Sequence, residues 1–102
     1  MKTRDRILAA ALHLFNLQGE RKVTTNHIAA HLGMSPGNLY YHFKNKKEII
    51  YELFLSYEAM VDSNLDVPAD RQLTIEDKLN YLQKVFHGLW EYRFMHRDME
   101  HL

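Results

Sequence analysis

Residues 32–47 read LGMSPGNLYYHFKNKK. A helix-ending glycine and a helix-starting Ser-Pro pair stand almost side by side, and Tyr40, Tyr41, His42 and Phe43 follow with lysines behind them. Gly33 supplies a stop. Ser35 is suited to an N-cap, and Pro36 fits the first helical position, where a missing N–H costs nothing. Two helices therefore meet at a tight turn. The second spans about residues 36–43 and, by i, i+4 spacing, has only Leu39 and Phe43 to bury. Its other side chains must face something besides the core.

Working outward, Ile7, Leu8, Ala11, Leu12 and Phe15 form one face of a helix over residues 3–17. Gly19 is expected to end it in a left-handed cap. Thr24 or Thr25 caps a short second helix with Ile28, Ala29 and Leu32 inside. Asn45 caps a fourth, running through Ile49, Ile50, Leu53, Phe54 and Tyr57 to about residue 62. Residues 63–73, SNLDVPADRQL, contain Pro68 and little periodicity and read as a linker. Thr74 and Asp77 form a variant capping box for a fifth helix with the stripe Ile75, Leu79, Leu82, Val85, Phe86, Leu89 and Trp90. The tail from Tyr92 is expected to turn and begin a sixth helix near Arg97. The fold class is all-α. A three-helix head is joined by a fourth helix (residues 3–62 together) to the start of a second helical unit at 74–102.

One hundred and two residues suffice for one domain, or one small domain and part of another. The apolar fraction is 46%, which argues against disorder. No run approaches the roughly 18 apolar residues that would span a bilayer. The opening MKTRDRILAAALHLF imitates a signal peptide, but it lacks a small-residue cleavage site and has helical spacing. With no cysteine, disulfides and thiolate chemistry are excluded, and a cytoplasmic location is expected. The net charge of zero hides an asymmetry. Residues 1–50 carry eight Lys and Arg against three acids, and residues 51–102 carry five against ten. An anionic partner suits the first half only.

Two short helices joined by a Gly-containing turn, the second flanked by lysines, make a helix-turn-helix. Ala29 permits close crossing, and Ile28, Leu32, Met34 and Leu39 fill the joint. Such a motif puts the N-terminal part of its second helix into the major groove of duplex DNA. Ser35, Pro36, Gly37, Asn38, Tyr40, Tyr41 and His42 remain for that surface. Gly37 lets backbone approach the duplex, and Asn38 suits a base edge, best an adenine. Tyr40 and Tyr41 offer hydroxyls to phosphate and ring edges to thymine methyls or sugar. His42 can donate to phosphate, Lys46 can neutralise another, and Thr25 can touch the backbone.

Blander readings compete. A Gly turn between helices is common, and one of the two tyrosines is expected to pack in part. His27 and His31 have i, i+4 ligand spacing, but without a third ligand they read as a solvated face, so no metal site is expected. No catalytic set emerges, since Ser35 serves better as a cap, and no cofactor is implied. The rival function is a helical protein-interaction or dimerisation module acting through the acidic second half.

The segments ILAAALHLF, Gly19 and VTTNHIAAHLGMSPGNLYYHFKNKKEI together resemble the N-terminal domain of the TetR family of transcriptional regulators. The later VFHGLWEYRFMHRD is similar to the start of that family's ligand-binding domain. The resemblance implies a homodimer whose third helices enter successive major grooves of a palindromic operator, with a small effector releasing the DNA. The chain would thus be a ligand-responsive repressor with an incomplete ligand-binding and dimerisation domain. On matching positions, base-side contacts fall to Ser35, Pro36, Gly37, Asn38 and Tyr40. Backbone contacts fall to Thr25, Tyr41, His42 and Lys46. Where many relatives carry a basic or long polar residue after the Thr pair, this chain has the shorter Asn26. Family members are generally longer, so the chain is expected to be part of a larger protein. The stripe from Ile75 to Trp90 is then expected to be partly exposed. Tyr81, Phe86, Trp90 and Phe94 are pocket-lining candidates, with core packing the favoured role.

Overall fold

Local chemistry sets the helix boundaries, as seen in a computed structural model that describes residues 2–64 and 72–98. Helix α1 spans Thr3–Gln18, and a single 3-10 turn follows at Glu20–Lys22. Helix α2 spans Thr25–Leu32, α3 Pro36–His42, α4 Lys46–Asn64, α5 Ile75–Glu91 and α6 Arg93–Arg97. The fold is all-α, with a helix-turn-helix at α2–α3.

Thr24 is the cap of α2. Its hydroxyl accepts from the His27 N–H at 3.1 Å, while its own N–H donates to His27 Nδ1 at 3.3 Å. His27 is thereby part of a capping box rather than simply a solvated residue. Gly33 closes α2 in the left-handed region at φ 69°, where a side chain would be strained. The Ser35 hydroxyl accepts from the Asn38 N–H at 3.1 Å with Pro36 behind it, as read from the sequence. Asn45 caps α4 through Oδ1, which accepts from the Glu48 N–H at 3.0 Å. At α5, Thr74 and Asp77 form the expected box.

Three expectations need correction. Gly19 ends α1 with a positive φ of 89°, but its ψ of 141° lies outside the left-handed helical region, and it leads directly into the 3-10 turn. Helix α4 continues to Asn64, so the assigned linker loses its first two residues to the helix. Most of that segment, residues 65–71, lies outside the described residues. Helix α6 ends at Arg97 instead of beginning there, because the chain turns at Tyr92 and resumes helix at once.

The core gathers around α1. Ile7, Ala10, Ala11, Leu14 and Phe15 meet Val23, Ile28, Ala29, Leu39, Phe43, Ile49 and Leu53 from the next elements. Phe94 and Met95 of α6 belong to the same cluster. The Phe94 ring is fully buried and lies 5.2 Å from Phe15. It is a core residue, apart from Phe86 and Trp90, each 66% exposed, so the four aromatic candidates do not share a pocket.

Hydrogen bonds reinforce this docking of α6 on the end of α1. The buried Asn16 amide donates to the Glu91 carbonyl at 2.7 Å and accepts from the Phe94 N–H at 3.0 Å. The Arg97 guanidinium donates to the carbonyls of Phe15 and Asn16 at 2.6 and 2.9 Å. Those carbonyls lie in the last turn of α1, where a cation is favoured, and that of Phe15 also accepts from the Gly19 N–H at 3.0 Å. Gly88 provides close approach between α5 and α4, since a Cβ there would overlap the end of Met60. The outer face of α5 remains open, with Ile75, Leu79, Leu82, Phe86, Leu89 and Trp90 exposed. No helix among the described residues is long and apolar enough to cross a membrane.

Candidate nucleic-acid interface

Burial of Leu39 and Phe43 fixes the rotation of α3. Ser35, Pro36, Gly37, Asn38, Tyr40 and Tyr41 are consequently exposed, and His42 is half-buried. Tyr41 is 84% exposed, and its edge contact with His42 at 5.1 Å covers little of the ring. A Cβ added to Gly37 would meet nothing within 4 Å. The fold itself therefore places no size limit at that position.

Tyr40 leans the other way. Its hydroxyl lies 3.2 Å from Thr25 Oγ1, joining α3 to the first residue of α2. Beside that pair is an open recess of about 280 Å³ lined by Thr24, Thr25, Tyr40, Lys44, Asn45 and Lys46. Hydroxyls, the start of α2 and lysines converge on it, a donor-rich composition suited to an anionic oxygen. His42 and Lys47 share a second open cleft with Arg4 and Glu48, across the α3–α4 turn.

Among the sequence-derived candidates, Thr25, Tyr40 and Lys46 come together at the recess. Ser35, Pro36, Gly37 and Asn38 form the exposed start of α3, with Tyr41 and His42 beyond them. Lys46 is not extended into solvent. Its ammonium donates to the carbonyls of Glu20 and Val23 at 2.9 and 3.1 Å and pairs with Glu20 Oε1 at 2.9 Å. Lys44, exposed at the recess, is not among the residues that the sequence singles out. Its position one turn after Tyr40 was the available signal.

His13 and His31 approach with ring centroids 5.9 Å apart, but no group of three metal-ligating side chains exists among the described residues.

Two short helices joined at Gly33, with Ala29 buried in the first and the second presenting its polar face outward, define a helix-turn-helix protein. Known proteins sharpen the class. Residues 7–53 match the family described as bacterial regulatory proteins, tetR family, and residues 56–102 match that described as bacterial transcriptional repressor. A crystal structure of a TetR-family transcriptional regulator from Marinobacter aquaeolei VT8 is 64% identical. It superposes with a TM-score of 0.95 over 99% of this chain and 50% of its own. The HTH-type transcriptional regulator QacR of Staphylococcus aureus strain Mu50 is 42% identical over 53 residues, 52% of this chain and 28% of its own length. An HTH-type regulator of S. aureus strain USA300 is 40% identical over 80 residues, 78% of this chain and 40% of its own.

The chain belongs to the TetR family of regulatory proteins. This is a family of regulators, not of enzymes. The chain spans about half the length of these relatives or less.

Proposed function

We propose that this chain is the DNA-reading part of a sequence-specific transcriptional regulator, a ligand-responsive repressor of a palindromic operator. The observation that carries the reading is the exposed face of α3 beside the hydroxyl- and lysine-lined recess. In it, Ser35, Pro36, Gly37, Asn38 and Tyr40 face base edges in the major groove, with Asn38 the residue best suited to discriminate. Thr25, Tyr41, His42 and Lys46 hold the flanking phosphates, with the exposed Lys44 beside them. A homodimer places two such helices in successive grooves. That assembly, and a small-molecule effector, are supported by the match of residues 56–102 to the repressor description and by the apolar face that α5 leaves exposed. The cytoplasm, where the DNA lies, is the proposed site of action.

The test is retardation of a mixed-sequence duplex at low salt. A DNA-binding head retards it, with affinity falling steeply as salt rises. A module built only for protein contacts leaves the duplex unshifted at every salt concentration.

A further inference from the structure

The histidine pair that the fold assembles is not the pair that sequence spacing suggests. His27 commits its Nδ1 to the Thr24 N–H in the cap of α2. His31, one turn later, meets α1 instead, and its ring centroid lies 5.9 Å from that of His13 at an interplanar angle of 36°. Ala10 and Ala11 of α1 and Ala29 of α2, all buried in one core, let the two helices approach. Both histidines are exposed, so each side chain is free to turn. Among the described residues neither ring is held by a hydrogen bond or an ion pair, which leaves a lone-pair nitrogen available on each.

The flanking sequence suits a cation. Residues 7–19 contain no Lys, Arg, Asp or Glu, and residues 23–43 contain none either. No basic side chain close in sequence repels an ion at the pair, and no neighbouring carboxylate draws the rings into an ion pair. The reach fits as well. With a metal–nitrogen bond of about 2.0–2.1 Å, each ring centroid sits roughly 3.1 Å from the ion, so two rings on one ion have centroids about 5–6 Å apart. The spacing of His13 and His31 falls in that range and needs no movement of either helix.

We propose that His13 and His31 form a two-imidazole site for a divalent transition ion of the zinc class, with water filling the remaining positions. Imidazole favours zinc, copper and nickel, whereas magnesium and calcium prefer oxygen ligands. The ion bridges α1 to the last turn of α2, two residues before Gly33 and the turn into α3. It braces the helix pair from which α3 departs and stabilises the fold in proportion to its occupancy. The site uses no residue assigned to DNA and stands whether or not the DNA reading holds.

Thermal melting of the parent, His13→Gln, His31→Gln, the double variant and His87→Gln, each with zinc chloride and then with excess chelator, tests the site. His87→Gln is the control, because His87 and Glu91, 3.6 Å apart, are another pair able to attract a metal. Zinc well above its dissociation constant is expected to raise the parent's melting temperature by about 5 °C, and chelator to reverse the rise. Magnesium is expected to leave melting unchanged. Either single variant abolishes the rise, the double variant behaves like the single ones, and His87→Gln keeps it. In the parent, zinc is expected to shift the ring-nitrogen resonances of His13 and His31 together. The inference is overturned by no rise in the parent, by a rise that survives in the double variant, or by one lost in His87→Gln. A zinc effect that chelator does not reverse, or resonance shifts at only one of the two rings, overturns it equally.

Discussion

The hydroxyls of Thr25 and Tyr40 stand 3.2 Å apart across the gap between α2 and α3. This single bond orients the ring of Tyr40 against the first residue of α2, so in the proposed complex Tyr40 would enter the groove from a fixed position. Tyr40→Phe keeps the ring and removes the bond. It is expected to weaken duplex binding by about 1 kcal/mol while changing the melting temperature little, because the pair is exposed. Anisotropy titration with a labelled duplex reads the first effect and calorimetry the second.

Gly37 separates folding from function. Open space surrounds its missing Cβ, so Gly37→Ala fits the free protein and is expected to be neutral or to stabilise α3 by about 0.5 kcal/mol. On DNA the same methyl stands where backbone should approach the duplex. Melting should hold or rise while affinity falls. Unchanged affinity would remove Gly37 from the contact surface.

Asn16 tests the packing of α6 on the head. Asn16→Ala strands the Phe94 N–H and the Glu91 carbonyl, and the expected cost is about 2–3 kcal/mol in denaturant unfolding. Phe94→Ala empties a fully buried site and is expected to cost about 3–5 kcal/mol.

Tyr92 gives the fold an alkaline limit. Burial, and then the Glu91 carboxylate, push its phenol above the ordinary value of 10.0. The folded state thus holds this proton more tightly than the unfolded chain. Its contribution is full below pH 10.0 and is lost as pH rises beyond it. Denaturant midpoints on either side of that value should fall in the parent and fall less in Tyr92→Phe.

The head was legible because its signals are local. Gly33, Ser35 and Pro36 act on their own few residues, and Leu39 and Phe43 fix the rotation of α3 by spacing alone. Contacts distant in sequence were not. Nothing near Asn16 announces that its amide will bridge Glu91 and Phe94, more than seventy residues away. The charge of Lys46 is visible in the sequence, whereas the carbonyls of Glu20 and Val23 that its ammonium meets appear only in the fold. Trp90 and Phe94 stand together as pocket-lining candidates in the sequence, yet the turn at Tyr92 sends one to the surface and the other into the core.

That α3 reads DNA sequence is tested most directly by enrichment of duplexes from a random pool, run in parallel with the parent chain and Asn38→Ala. The parent is expected to enrich one inverted-repeat sequence, and the variant to lose preference at one position in each half-site while still binding. Enrichment of no sequence by the parent, or the same sequence enriched equally by both, would contradict the account.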